Sequence, residues 1–189
     1  MGKNNLLQSM ILVLLAISGP SWAGKTILLA EFGRMSVDVG SEYTFENEEE
    51  ANEDLLGGFM AGYKFDNNAI VAFNYTYATG LASDGLFGAF DHYDLSEQTL
   101  LVGYSFDVAR YLRIVPMAGW TRWSLTGEEG AFLNPGEEEE LSEDGRSFVP
   151  RINFEIPFGE LIQANIAYQR GNYDFGDASS WRVGLKFEF

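Results

Sequence analysis

Ten residues close this chain, Ser180-Trp-Arg-Val-Gly-Leu-Lys-Phe-Glu-Phe189, and they leave few folds open. Trp181, Val183, Leu185, Phe187 and Phe189 alternate with Arg182, Gly184, Lys186 and Glu188. A period of two puts one apolar and one polar face on an extended strand. The strand runs into a terminal phenylalanine, at a place where soluble domains commonly fray. The other end reads as an export signal. Lys3 gives a positive start, Met10 to Ile17 is apolar, and Ser21-Trp22-Ala23 has the small-x-small form of a cleavage site. The expected division is therefore a signal peptide over 1–23 and one domain over 24–189.

Removing 23 of the 189 residues leaves 166, enough for a single domain. No apolar run in that stretch reaches the roughly 18 to 20 residues of a membrane helix. A chain of this kind that crosses a bilayer does so as a closed barrel, which satisfies its backbone hydrogen bonds internally. The absence of cysteine removes disulfides, thiolate metal sites and cysteine nucleophiles. Loss of Lys3 with the signal takes the formal charge from −16 to −17. So acidic a surface excludes nucleic acid as a partner, because phosphate backbones call for basic faces. An aromatic content of 15% argues for a folded rather than a disordered acidic chain.

Eight segments alternate with period two. They lie at about Arg34 to Phe45, Leu55 to Phe65, Ala69 to Thr79, Tyr93 to Phe106, Tyr111 to Leu125, Phe148 to Phe158, Leu161 to Arg170, and the C-terminal strand. In the first, Met35, Val37, Val39 and Tyr43 share the apolar face. The fifth is ambiguous in phase, since Trp120 and Trp123 fall on opposite faces, and Thr26 to Glu31 has no clear place. Breaks after the even-numbered segments are short and turn-like, as in Asp66-Asn67-Asn68 and Gly159-Glu160. Breaks after the odd-numbered segments are longer, the longest running from Thr126 to Ser147. Long loops on one side and short turns on the other are the asymmetry of outer-membrane barrels.

A soluble barrel also alternates, so the aromatics decide the environment. Tyr63 and Phe65, Tyr104 and Phe106, Phe158, and Phe187 with Phe189 end the even-numbered strands and share one rim. A membrane interface selects such a ring; a soluble core gains nothing from it. The expected fold is all-β: an eight-stranded antiparallel up-and-down transmembrane β-barrel in the outer membrane of a Gram-negative cell. In export signal, strand count, loop alternation and terminal strand the chain resembles the small outer-membrane barrels of the OmpX, Ail and OmpA-transmembrane-domain type. That resemblance implies that Trp181, Val183, Leu185, Phe187 and Phe189 form a signal for the barrel assembly machinery. It implies a monomer set among outer-membrane lipid and lipopolysaccharide. It does not fix a function, since such barrels include adhesins, structural proteins and enzymes.

Three features carry chemistry. On the polar face, index sums of 222 to 224 pair Arg34 with Glu188, Asp38 with Lys186, and Glu42 with Arg182 across the closing strands. This gives an internal charge network, with an ion pathway as the alternative. In the loops, Glu46 to Asp54 and then Glu137, Glu138, Glu139, Glu140, Glu143 and Asp144 are dense in carboxylates. They suit Ca²⁺ or Mg²⁺, or stay as solvated charge; no other cofactor is expected. His92, the single histidine, lies near Asp91, Asp94, Ser96 and Glu97, without the His-x-Ser arrangement of a lipid A deacylase. No reaction is assigned. A structural or surface-interaction role is expected, with a lipid A-modifying enzyme or a narrow ion or solute channel as rivals.

Overall fold

The computed structural model describes residues 24–39, 53–82, 91–128, 140–174 and 176–189. The chain runs through β1 (Gly24–Val39), β2 (Glu53–Phe65), β3 (Ala69–Ala82), β4 (Asp91–Tyr104) and β5 (Phe106–Ala109). It continues through β6 (Leu112–Glu128), β7 (Glu140–Pro157), β8 (Ile162–Tyr173) and β9 (Gly176–Glu188). β4 and β5 are one stave interrupted at Ser105, and both pair with β6. Sequential staves pair antiparallel and β9 returns to β1, which closes an eight-stranded barrel. No helix occurs among the described residues. Closure removes the free strand edges that lipid could not satisfy. Even the last residue is tied in: Phe189 and Thr26 exchange two backbone hydrogen bonds of 3.0 Å.

The turns at one end follow from local chemistry. Asn68 takes a left-handed φ of 67° and its amide donates to the Phe65 carbonyl at 2.9 Å, while Asn67 Oδ1 accepts from the Ala69 amide. Asparagine tolerates that conformation because its short polar side chain can bond locally.

The distribution of polarity is inverted relative to a soluble protein. Glu31, Glu97, Arg151, Glu155, Arg182, Lys186 and Glu188 are buried in the lumen, whereas Phe32, Leu100, Trp120, Phe148 and Leu185 stand exposed on the outer wall. The outer aromatics form two belts. Tyr104 contacts Phe106 and Tyr63 contacts Phe65 beside the short turns, with Phe158 and Phe189 exposed at the same end. At the far end Trp120 meets Phe148 edge-on at 5.6 Å, and Tyr168 meets Trp181 at 4.9 Å. Phe148 in β7 and Phe158, the first residue past its end, are ten residues apart. At ~3.3 Å per residue and a tilt of ~40° that is a height of roughly 25 Å, the apolar band of an outer-membrane barrel.

The first strand corrects the sequence reading. Thr26 to Glu31 is the opening half of β1. It lacks alternation because both faces are apolar: Ile27 and Leu29 fill the lumen while Leu28 is exposed on the wall. β1 therefore starts about ten residues earlier than its alternation suggested. Ile27 pairs with Glu188, Leu29 with Lys186 and Gly33 with Arg182. The index sum is 215, not 222 to 224, and an odd displacement exchanges the two faces. Met35 is consequently buried and Arg34 exposed, opposite Trp181. Asp38 pairs with Asp177 in place of Lys186, and Glu42 lies outside the described residues.

The fifth predicted segment, β6, keeps one phase throughout, with Trp120 outward and Trp123 buried. The long strands also shorten the third loop. Glu143 and Asp144, expected there, pair in β7 with Leu125 and Ser124 of β6.

Cysteine pairs test the closing register in this cysteine-free chain. Phe32→Cys with Val183→Cys should be joined by oxidation or a short thiol cross-linker in the folded barrel. Asp38→Cys with Lys186→Cys should stay unlinked, as judged by mobility on non-reducing gels; the opposite outcome would restore the register of the alternation pattern.

Candidate functional site

The lumen is the one place where the described side chains converge. At its centre the Glu31 carboxylate, on β1, accepts from two guanidinium groups. Arg151 of β7 donates from Nη1 to Oε1 at 3.0 Å and from Nη2 to Oε2 at 2.6 Å. Arg182 of β9 donates from Nη1 to Oε1 at 3.0 Å. Planar forked donors against a carboxylate give strong, directional bonds. The remaining donors are also placed: Arg151 Nε reaches Asn153 Oδ1 at 2.8 Å, Arg182 Nε reaches Ser180 Oγ at 3.0 Å, and Arg182 Nη1 also reaches Thr76 Oγ1 at 2.7 Å.

From Arg182 the network crosses to β4. Arg182 Nη2 lies 3.4 Å from Glu97 Oε2, and the hydroxyl of Tyr173 donates to Glu97 Oε1. Trp123 covers this layer, edge-on to Tyr173 at 6.0 Å, with its indole N–H donating to Ser147 Oγ at 3.2 Å. Gly145 faces Trp123 across the strand pair, and a Cβ there would come within 2.5 Å of the indole. Glycine is thus what admits the ring.

Two further groups follow toward the short-turn end. Lys186 Nζ pairs with Glu155 Oε1 at 2.7 Å. Glu188 accepts from Gln163 at 2.6 Å and Arg113 at 3.2 Å, with Lys64 Nζ at 3.4 Å, and Arg113 also reaches Asp107 at 2.8 Å. Charges balance within each group. Two carboxylates meet two guanidiniums at the centre, one meets one below, and two meet two at the rim. Between them lie Ile27, Leu29, Met60, Ile70, Val115 and Met117, and the gap they leave beside Lys186 is only about 10 Å³. That is about the room of one water.

Arg182, Lys186 and Glu188, expected in an interior network, are buried there with these partners. Arg34 is not among them. Glu31, Glu97 and Tyr173 escaped the sequence reading, Glu97 having been grouped with His92 as a candidate catalytic partner. Its odd position on the alternating fourth segment, opposite in phase to Leu100 and Val102, was the signal available. Arg151 and Glu155 stand opposite in phase to Ile152, Phe154 and Ile156, which marks their polar face but names no partner across the barrel. Trp181, Val183, Leu185, Phe187 and Phe189 line the outer wall of β9. Tyr63, Phe65, Tyr104, Phe106 and Phe158 sit at the short-turn rim. Glu137, Glu138 and Glu139 lie outside the described residues, and Glu140 opens β7. Asp144 Oδ2 lies 3.7 Å from Arg122 Nη2. Among the described residues no three His, Asp or Glu side chains gather as a metal site. His92 pairs in β4 with Leu81 and Glu128 through the backbone.

A closed antiparallel barrel with an apolar outer wall, aromatic belts at two levels and a charge-neutral filled lumen defines an integral outer-membrane protein. The family model described as an outer membrane protein beta-barrel domain matches residues 9–189, and the chain belongs to that family. Among solved structures it is similar to Neisserial surface protein A, with a TM-score of 0.67 at 11% identity over 87% of this chain and 97% of that one. It is also similar to Ail of Yersinia pestis, at 0.59 and 12% over 88% and 99%. The N-terminal barrel domain of OprF from Pseudomonas aeruginosa gives 0.57 and 16% over 88% and 98%. At these identities the likeness is one of fold. No curated protein matches the chain.

Glu31→Gln should destabilise the barrel by about 3 to 5 kcal/mol in urea titrations in lipid vesicles, because it strands two buried guanidiniums. Adding Arg151→Met should recover part of the loss, and a double-mutant cycle should show a coupling of at least about 1 kcal/mol. Strict additivity would mean that the two groups do not meet.

Proposed function

We propose that the protein is a rigid, closed scaffold that holds acidic loops at the cell surface, rather than a conduit or an enzyme. The filled lumen carries this reading. Three neutral charge groups and an apolar layer occupy the barrel, and a pathway for ions would need those buried pairs to part at a cost of several kcal/mol. Carboxylates crowd the sequence between β1 and β2, at Glu46 and Glu48 to Glu50, and between β6 and β7, at Glu137 to Glu139. They would face outward if the short turns lie in the periplasm. Ail has been captured with a heparin analogue, sucrose octasulfate. Loops as acidic as these oppose such a polyanion and suit cationic partners, among them the divalent ions that hold anionic outer-leaflet lipid together.

Planar-bilayer recording and mass spectrometry of lipid A test the scaffold against its rivals. No stable conductance steps and no change in lipid A on expression are expected; either signal would replace this reading with a channel or a lipid-modifying enzyme. On SDS gels the unheated protein should run as a compact species and shift on boiling, since a closed barrel offers no edge from which to unzip.

The terminal strand is proposed as the assembly signal, with its outward residues read during insertion. Phe189→Asp should lower the yield of inserted barrel several-fold. Glu188→Gln should insert normally and then unfold at lower urea, because Glu188 joins Gln163, Arg113 and Lys64 only once the barrel has closed. Equal insertion yields for the two variants would remove the assembly role.

A further inference from the structure

Outside the lumen, one pair of side chains stands in an arrangement that the wall alone does not stabilise. Arg122 of β6 and Arg146 of β7 are direct cross-strand partners, and both are exposed on the outer wall. Facing residues of an antiparallel pair have Cβ atoms ~5 Å apart, and like charges there repel. Asp144 makes an ion pair with one of them, its Oδ2 lying 3.7 Å from Arg122 Nη2, with the Arg122 and Asp144 side chains 57% and 69% exposed. So open and long a contact contributes little. Among the described residues no carboxylate lies within ion-pair distance of Arg146, and the three groups together keep one net positive charge on a chain of formal charge −16.

The level of this pair matters as much as its sign. Two residues below, Trp120 and Phe148 meet edge-on and mark the upper boundary of the apolar band. The arginines therefore stand ~5 Å of barrel height beyond that boundary, where the headgroups of the outer leaflet carry their phosphates. Below them, Leu100 pairs with Trp120 and is exposed on the same wall, so that an acyl chain can lie along Leu100, Trp120 and Phe148.

We propose that Arg122 and Arg146 form a docking site for a lipid-borne phosphate of the outer leaflet. Two guanidinium forks match the oxygens of one phosphate, and the bridging anion turns the repelling pair into an attractive one. The aromatic and aliphatic wall beneath holds the lipid's chains, which ties the site to a lipid in preference to a free anion. This inference rests on the outer-membrane reading of the barrel, and its test separates the two.

The full chain is folded into phosphatidylcholine nanodiscs and titrated with lipid A, either intact or enzymatically dephosphorylated, and retained lipid is counted by native mass spectrometry. Intact lipid A should be retained over the dephosphorylated form. R122Q and R146Q should each weaken that retention about fivefold, the usual worth of one basic residue at an anionic surface, and the double variant should lose the preference. R122K/R146K should keep most of it, since lysine binds phosphate as a point charge. Stability should change sign with the surroundings. In octyl glucoside R146Q should match or exceed the wild type in its unfolding midpoint, because a like charge is gone, and with lipid A present it should fall below. Equal retention of intact lipid A by the wild type and R122Q/R146Q would overturn the site, and displacement of the lipid by millimolar inorganic phosphate would overturn its assignment to a lipid. A wild type that shows no preference for intact lipid A, with its boiling-dependent gel shift intact, counts against the site alone; absence of the shift in the wild type counts against the barrel.

Discussion

The carboxylate of Glu31, held by Arg151 and Arg182, is the interaction on which the rest of this barrel depends. It joins β1 to β9, the two strands that must meet for closure, and braces both against β7. A buried ion pair seldom adds net stability over an apolar replacement, but removing one partner leaves charge with no solvent to turn to. In this barrel the register that brings Glu31 beside Arg182 also neutralises the central layer. Slipping β1 by one residue against β9 would turn Glu31 out to lipid and leave two guanidiniums unmatched in the lumen. Charge neutrality in the lumen and hydrogen bonding along the seam thus select the same register.

That constraint explains which parts of the fold were legible beforehand. Where the lumen face is polar, alternation showed both faces. Ile152, Phe154 and Ile156 against Arg151, Asn153 and Glu155 is such a case, and β9 is another. Where the lumen face is apolar, the pattern vanished. Ile27 and Leu29 fill the barrel while Leu28 faces lipid, so the opening half of β1 reads as a continuous apolar run. The displaced start then carried the register with it and put Arg34 inside. Trp123 misled for a related reason: an aromatic ring in a transmembrane barrel suggests the wall, yet this one caps the lumen opposite Gly145.

The partners in the lumen were beyond reach for a different reason. Glu31 and Arg151 are 120 residues apart, and Glu97 and Tyr173 are 76. Their meeting depends on strand tilt and on the stagger set when the sheet closes, which no local spacing encodes. The lumen asks for charge neutrality within each layer, while the wall asks for apolar contact between two aromatic belts. The outer charges, Arg122 and Arg146, stand just beyond the upper belt, where neither demand applies and headgroup chemistry takes over.

Amide hydrogen exchange, read strand by strand in lipid nanodiscs, tests the central claim most directly. In the wild type, amides along the β1–β9 seam should be as strongly protected as those between β6 and β7. In Glu31→Gln, protection should fall first and furthest at Ile27 to Gly33 and at Arg182 to Glu188, while the β6–β7 amides remain protected. A variant whose seam exchanges no faster than the wild type, or whose protection falls evenly around the barrel, would contradict the claim that this carboxylate holds the closing strands together.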